Sequence, residues 1–298
     1  MPTGVVVYGI IALLILWIVL EQKLFLTTRY TISSKKLPAQ LNNTRFIVLA
    51  DLHNRTFGKK NNRLVRRIDA LSPEFILAAG DIITKKSACY PGNAYYLMQE
   101  LAGRYRIFYA YGNHEQKLEY IGKKPLSERT EEEKNLYSTW VEYKNRLAKS
   151  GVLFLDNQTT TLETKNSKLK ITGVSLPGEY FIFSSHTDMA PGYLNSLLGE
   201  SAKNDYQLLI AHNPIYFTDY ADWGADLTLS GHLHGGMLRL PGIGGVISPQ
   251  ARFFPKYDTG HHTHKGLQMV VSRGLGSHSV MPRIFNIPEL IHITLRKD

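Results

Sequence analysis

The residues able to do chemistry in this chain fall into five short blocks: Asp51-Leu52-His53, Gly80-Asp81, Gly112-Asn113-His114-Glu115, His212, and Gly231-His232-Leu233-His234. Asp51 and His53 stand at i and i+2, as do His232 and His234. At the end of an extended strand such a pair can converge on one cation. A carboxylate such as Asp81 has two oxygens and can bridge two cations. Imidazole, carboxylate and amide donors together suit Mn, Fe, Zn or Ni better than Ca or Mg. Taken singly, each residue has an ordinary explanation: a strand-end Asp or Asn caps a helix or makes a turn, and a His sits on the surface or in a satisfied core. Asp51, His53, Asp81, Asn113, His212, His232 and His234 recur at five successive strand ends, and that recurrence points to one shared metal centre.

The elements that must position them are visible as apolar runs. Phe46–Ala50, Phe75–Ala79, Ile107–Tyr111, Leu208–Ala211 and Leu227–Ser230 each lead directly into one block. Continuous runs of this length mark strands buried on both faces, and ligands of open α/β sheets gather beyond the carboxyl ends of such strands. Between them, Asn61–Leu71 has helical spacing with Pro73 as its stop, and Tyr95–Leu101 reads as a second helix. Thr130–Lys149 is a long charged helix: Thr130 and Glu133 resemble a capping box, and Leu136, Trp140, Tyr143 and Leu147 give it an apolar face. Shorter runs at Val152–Leu155, Thr159–Glu163 and Leu169–Val174 suit antiparallel additions to a sheet, with late strands at Gln268–Ser272 and Leu290–Leu295. The expected class is α/β, two packed mixed sheets with helices outside.

Composition adds bounds. The 298 residues hold a single cysteine, Cys89, which excludes a disulfide scaffold and leaves the compartment open. The net charge of +10 suits a solvated basic surface or attraction to anionic lipid heads and substrates. Val5–Leu20 is uncharged and almost wholly Ile, Leu, Val and aromatic. At about 1.5 Å per residue it nearly spans a hydrocarbon core of roughly 30 Å. A cleaved signal peptide would want basic residues before the run and a small-x-small site after it. Neither is present, so the reading is an uncleaved anchor over 1–26, a juxtamembrane segment over 27–44 and a catalytic domain over 45–298. Lys23, Arg29, Lys35 and Lys36 follow the run, which by the positive-inside rule places that domain in the cytoplasm, on a single-pass protein of the cell membrane.

The five blocks in this order, with Leu233 in a slot often filled by Thr, resemble the calcineurin-like metallophosphoesterase superfamily, from about Arg45 to Leu295. The glycine-rich stretch from Gly235, with Phe254-Pro255-Lys256-Tyr257 and Ser272-Arg273-Gly274-Leu275-Gly276, looks like its bacterial, membrane-anchored branch. The resemblance implies a four-layer αββα sandwich and two divalent transition metals, manganese favoured. One metal would take Asp51, His53 and His234, the second Asn113, His212 and His232, and Asp81 would bridge them. It further implies hydrolysis of a phosphoester or pyrophosphate by metal-bound hydroxide. His114 would contact the phosphate and protonate the leaving oxygen, or else hold a ligand in place. The alternatives are a silent binding module, which lost ligands would betray, and a nuclease or cyclic-nucleotide phosphodiesterase. Phosphorylated small molecules and lipid-linked phosphates all fit; nucleic acid fits poorly, because no aromatic-basic interleaving offers a stacking platform. Weaker features remain. His261, His262 and His264 form either a metal tract or part of a polar loop over Asp258–Lys265, the loop being the expectation. Lys59, Lys60, Arg63, Arg66 and Arg67 read as a solvated helix face or a lipid-head contact, while Arg239, Arg273 and Asn286 could line a substrate pocket.

Overall fold

A computed structural model of the chain describes residues 3–86, 89–164, 167–182, 187–240, 242–248, 253–277 and 283–298. Met1 and Pro2 of the expected anchor and Pro241 of the glycine-rich stretch lie outside them. The chain opens with helix α1 (Thr3–Glu21) and strand β1 (Leu26–Ser34). Strands β2 (Arg45–Leu49), β3 (Phe75–Ala79), β4 (Arg106–Ala110) and β5 (Val152–Leu155) follow. Helices α2 (Asn62–Leu71), α3 (Asn93–Ala102), α4 (Asn113–Lys123) and α5 (Glu131–Lys149) lie between them. The second half brings β6 (Gln158–Thr164), β7 (Ser167–Val174), α6 (Tyr193–Leu198), β8 (Gln207–Ala211), α7 (Phe217–Trp223) and β9 (Leu227–Ser230). A short hairpin, β10 (Leu238–Leu240) with β11 (Gly244–Ile247), precedes β12 (Gly260–His264), β13 (Leu267–Val271) and β14 (Glu289–Lys297).

Two six-stranded mixed sheets result, ordered β1-β14-β2-β3-β4-β5 and β12-β13-β9-β8-β7-β6. Alternation along each strand explains why the apolar runs have no polar face. Phe46, Val48, Phe75, Leu77 and Phe108 point inward against Ile171, Leu208, Ile210, Leu227 and Leu229 of the other sheet. Ile47, Leu49, Ile76, Ala78 and Ile107 point outward against Leu64, Ile68, Leu97, Leu101, Tyr143 and Leu147 of the helices. Leu209 and Ala211 do the same beneath Leu194, Tyr220 and Trp223. Both faces are buried, so both must be apolar. This is the expected two-sheet α/β class, with one apolar helix at its N-terminus. Thr130 caps α5 as its sequence predicts, its side chain accepting from Glu133 N at 3.1 Å while Thr130 N donates to Glu133 Oε2 at 3.1 Å.

Three local readings change. The segment 27–44, expected as juxtamembrane, contains most of β1, which runs parallel to β14 along its whole length, from Leu26 opposite Glu289 to Ser34 opposite Lys297. Ile32, Leu37 and Leu41 are buried in the core between the sheets. As an edge strand, β1 buries few side chains, which left it without a strand signature. Of the runs expected as antiparallel additions, β6 is antiparallel to β7, but β5 is parallel to β4 and β7 to β8. The polar loop over Asp258–Lys265 contains β12, antiparallel to β13 at the edge of the second sheet. An edge strand half in solvent tolerates the polar residues that suggested a loop.

Candidate metal centre

All five blocks sit just past the carboxyl ends of the strands that precede them. The first sheet contributes Asp51 and His53 after β2, Asp81 after β3, and Asn113 and His114 at the start of α4. The second contributes His212 after β8, and His232 and His234 after β9. Asp51, His53, Asp81, His232 and His234 all adopt positive φ, between 49° and 71°. Left-handed backbone costs about 1–2 kcal/mol per non-glycine residue. Nine other described non-glycine residues also adopt positive φ, so what sets these five apart is that their side chains carry ligand atoms to one place. The glycines beside them serve close approach: a Cβ on Gly112 would collide with Asp81 Oδ1, and one on Gly231 with Asp51 Oδ2.

The side chains converge on two adjoining clusters. Asp51, His53 and His234 offer donor atoms within 4.8 Å of one another, and so do Asp81, His212 and His232. His53, Asp81 and His114 form a third such set, sharing His53 with the first and Asp81 with the second. Asp81 Oδ2 lies 3.2 Å from His212 Nε2, 3.9 Å from His53 Nε2 and 4.0 Å from His114 Nε2, while Oδ1 accepts from His114 N at 2.8 Å. His53 Nε2 and His234 Nε2 approach to 3.2 Å. Two carboxylates and five imidazoles so close together in a buried space need cations among them. The buried Oδ1 of Asn113 has no hydrogen-bond partner, a lone pair left for a cation. His212 Nδ1 is 2.7 Å from Ala79 O and must donate to it, which leaves Nε2 with a lone pair facing Asp81 and Asp51. The donor set therefore fits divalent metal.

Electrostatics agree. Burial pushes the Asp51 carboxyl up to about 7 despite the nearby His212 imidazole. Burial also opposes charge on Asp81, but His212, His114 and His53 outweigh it and hold that carboxyl well below the usual range. His212 is driven the other way: burial disfavours its cation, yet contact with Asp81 raises it to about 10. Without metal, a proton on His212 supplies the positive charge that Asp81 requires.

Sequence reasoning missed the supports behind these residues. Buried Glu115 accepts from Asp81 N, Ile82 N and Gly112 N at 2.9, 2.9 and 3.0 Å and from the Tyr109 hydroxyl at 2.7 Å, locking two blocks together. Its place in the Gly112–Glu115 block was the available signal. Arg283 gave none, and Asn286 was expected to line a substrate pocket with Arg239 and Arg273, not to act as a support. The Arg283 guanidinium lies 3.1 Å from His234 Nδ1 and donates to Arg273 O at 2.6 Å. Asn286 Nδ2 donates to His234 O at 2.6 Å, so it braces the His232–His234 turn and lies buried, away from any substrate pocket. Arg239 and Arg273 do line a cleft, with Ile243 and Phe285, though Arg239 is paired with Asp258 at 2.6 Å and Arg273 with Glu289 at 3.2 Å. His261 is spent on Gln268 and His262 on Thr259 O, each at 3.0 Å, and among the described residues no metal-capable cluster includes the 261–264 histidines.

Residues 44–236, which carry every one of these donors, match the family described as calcineurin-like phosphoesterase. The chain belongs to that family. It is a metal-dependent phosphoesterase, and the Asp/His clusters are a candidate divalent-metal site. Among its relatives are two Bacillus subtilis proteins named as uncharacterized metallophosphoesterases. YkoQ is 25% identical over 81% of this chain and 80% of its own length, and YkuE is 24% identical over 93% and 87%. The Escherichia coli phosphodiesterase YaeI is 26% identical over 78% of this chain and 75% of its own.

Proposed function

We propose that the chain is a membrane-anchored phosphohydrolase whose two-cation centre hydrolyses a phosphoester or pyrophosphate bond. One observation carries the reading: Asp81 Oδ2 stands between the set Asp51, His53, His234 and the set Asn113, His212, His232, within 3.2 Å of one and 3.9 Å of the other. When bound, divalent transition metals, manganese among them, neutralise phosphoryl oxygens and make water acidic enough to attack phosphorus at neutral pH. Asp51, His53 and His234 would hold one cation, Asn113, His212 and His232 would hold the second, and Asp81 would serve both. His114 serves differently. Its Nδ1 accepts from Lys85 N at 2.9 Å, so in the neutral ring the proton sits on Nε2, which faces the centre. A ring with its proton aimed at the centre donates to a leaving oxygen; it does not ligate. No protein nucleophile is needed.

From Asn113 a groove of about 630 Å³ leads away between α4 and the loop after β7, lined by the rings of Tyr111, Tyr120 and Phe181, by Lys117 and Lys123, and by the carboxylates Glu119, Asp156 and Glu179. The aromatic walls suit the organic portion of a substrate. That YaeI is named a phosphodiesterase favours diesters first. The anchor reading is supported by an 18-residue apolar window over Gly4–Glu21 with mean hydropathy 2.5 and only 6% of it buried. The end of α1 is bonded to the catalytic domain, Glu21 Oε2 accepting from Phe285 N at 2.9 Å, an attachment a cleaved signal would forfeit.

The bridging role is tested with Asp81→Ala. Elemental analysis should find both metals depleted, with hydrolysis of nitrophenyl phosphate mono- and diesters abolished. Full metal content in that variant would remove Asp81 from the bridge.

A further inference from the structure

Four exposed apolar side chains outside α1 cluster on one part of the domain. Ile243, Phe253, Phe254 and Phe285 are 63, 71, 63 and 46% exposed. They are carried by one small assembly: β10 pairs with β11, Leu238 bridges Ile284, Ile247 bridges Phe253, and Phe254 N donates to Val246 O at 3.0 Å. Exposed aromatics gathered in this way mark a contact surface.

The same assembly receives the end of the apolar helix. Phe285 N bonds Glu21, and Gln22 Nε2 donates to Arg283 O at 3.0 Å. The Arg283 guanidinium in turn lies 3.1 Å from His234. One residue thus separates the helix end from a metal donor. On its other side the helix end forms a cleft of about 680 Å³ with the residues after His53: Val19, Gln22 and Lys23 on one wall, Asn54, Arg55 and Arg63 on the other. Arg55 Nη1 reaches Gln22 Oε1 at 3.3 Å, and Arg63 Nη1 reaches Lys23 O at 3.0 Å. The lining holds three cations, one large apolar side chain (Val19) and no carboxylate.

With α1 19 residues long, about 28 Å at 1.5 Å per residue, the bilayer surface falls at Glu21–Lys23. The head-group layer is then roughly 5–8 Å deep on that side, next to the cationic cleft at the helix end. Resting on the anchor reading above, we propose that the metal centre works at the bilayer surface on a phosphoryl group carried by a membrane amphiphile. Ile243, Phe253, Phe254 and Phe285 dip into the leaflet from which α1 emerges. The acyl portion stays in the bilayer beside Val19, and Lys23, Arg55 and Arg63 guide the anionic head toward Asn54 and the centre.

The full chain in phosphatidylcholine vesicles tests this with two esters that share one leaving group, hexadecyl and ethyl nitrophenyl phosphate. The expected result is at least a tenfold higher kcat/KM for the hexadecyl ester. Ile243→Ser with Phe253→Ser and Phe254→Ser should remove that preference while holding ethyl ester turnover within twofold. Equal rates for both esters in the unaltered protein overturn the proposal. A second measurement does not depend on turnover or on the triple variant: a fluorophore on Ile243→Cys should be quenched by lipid-borne nitroxides and not by a water-soluble one. Quenching only from water, as a protein-binding surface would give, also overturns it. If neither ester is hydrolysed, the hydrolase reading fails instead, and the quenching still decides the placement.

Discussion

Two histidines near Asp81 differ in which nitrogen the backbone holds. His212 gives its Nδ1 proton to Ala79 O, leaving a lone pair on Nε2 for a cation; His114 accepts at Nδ1 from Lys85 N and keeps its proton on Nε2. Their substitutions should therefore part company. His212→Ala should lose bound metal along with activity. His114→Ala should keep its metal and lose turnover by roughly 10²–10⁴-fold, the worth of a general acid. With nitrophenyl leaving groups, which need no proton, the loss should shrink toward the lower figure. An equal loss for nitrophenyl and alkyl leaving groups would mean that His114 positions phosphate electrostatically. The convergence of Asp51, His53, Asp81, Asn113, His114, His212, His232 and His234 was legible in sequence because each block ends a run of doubly buried strand, a pattern that short-range periodicity exposes. Arg283 was not legible. Its role comes from a fold contact 49 residues from His234, and its neighbours Pro282 and Ile284 look like ordinary loop.

Elements explain how strained residues stay in place. Glu115, in the first turn of α4, gathers the N–H groups of Asp81, Ile82 and Gly112, so the helix holds the β3 and β4 ends together. Glu115→Gln keeps the shape but turns one acceptor into a donor facing those N–H groups. Leaving a buried donor unpaired costs about 1–3 kcal/mol. Urea unfolding should show that loss, with metal affinity weakened in parallel because Asp81 is no longer clamped. Unchanged metal affinity would limit Glu115 to folding. Thr130→Ala at the α5 cap is the contrasting case: about 1 kcal/mol of stability lost, metal binding and turnover intact. The donors also come from both sheets, Asp51, His53, Asp81 and Asn113 from one and His212, His232 and His234 from the other. Metal held at the proposed site would therefore tie the sheets together. At a thousandfold excess over its Kd a ligand adds about 4 kcal/mol to stability. Chelation should lower the Tm accordingly, and Asp81→Ala should make the protein indifferent to chelator. Edge strands were the least readable elements. The strands β1 and β12 each pair on one side and face solvent on the other, so Thr27–Thr31 and Gly260–His264 carry no apolar alternation to betray them.

At the scale of the whole molecule, charge and apolar surface are distributed about one end. The chain carries +10 overall, and Lys23, Arg29, Lys35 and Lys36 follow α1 closely in sequence. Folding changes who is available: Lys36 is consumed by Asp226 at 2.7 Å, while Arg55, Arg63 and Arg67 are brought to the helix base through Gln22, Lys23 and Thr27. Basic side chains at a membrane surface gain about 1 kcal/mol each from an anionic cytoplasmic leaflet. On the anchor proposed above, the unfolded flank during insertion and the folded cluster afterwards would favour the same side, the cytoplasm. Retention itself should be hydrophobic. Carbonate and high-salt washes should leave the protein in the membrane fraction, and deleting residues 1–21 should release it; release of the full chain by salt alone would leave α1 without a spanning role. Protease added to intact spheroplasts should spare the catalytic domain and digest it only after lysis. Placing glutamate at Lys23, Arg29 and Lys35 removes the sequence signal while leaving the metal donors untouched, and should expose a fraction of the domain to external protease. Digestion of the unaltered protein without lysis would reverse the orientation, and the basic helix base would then face the outer leaflet.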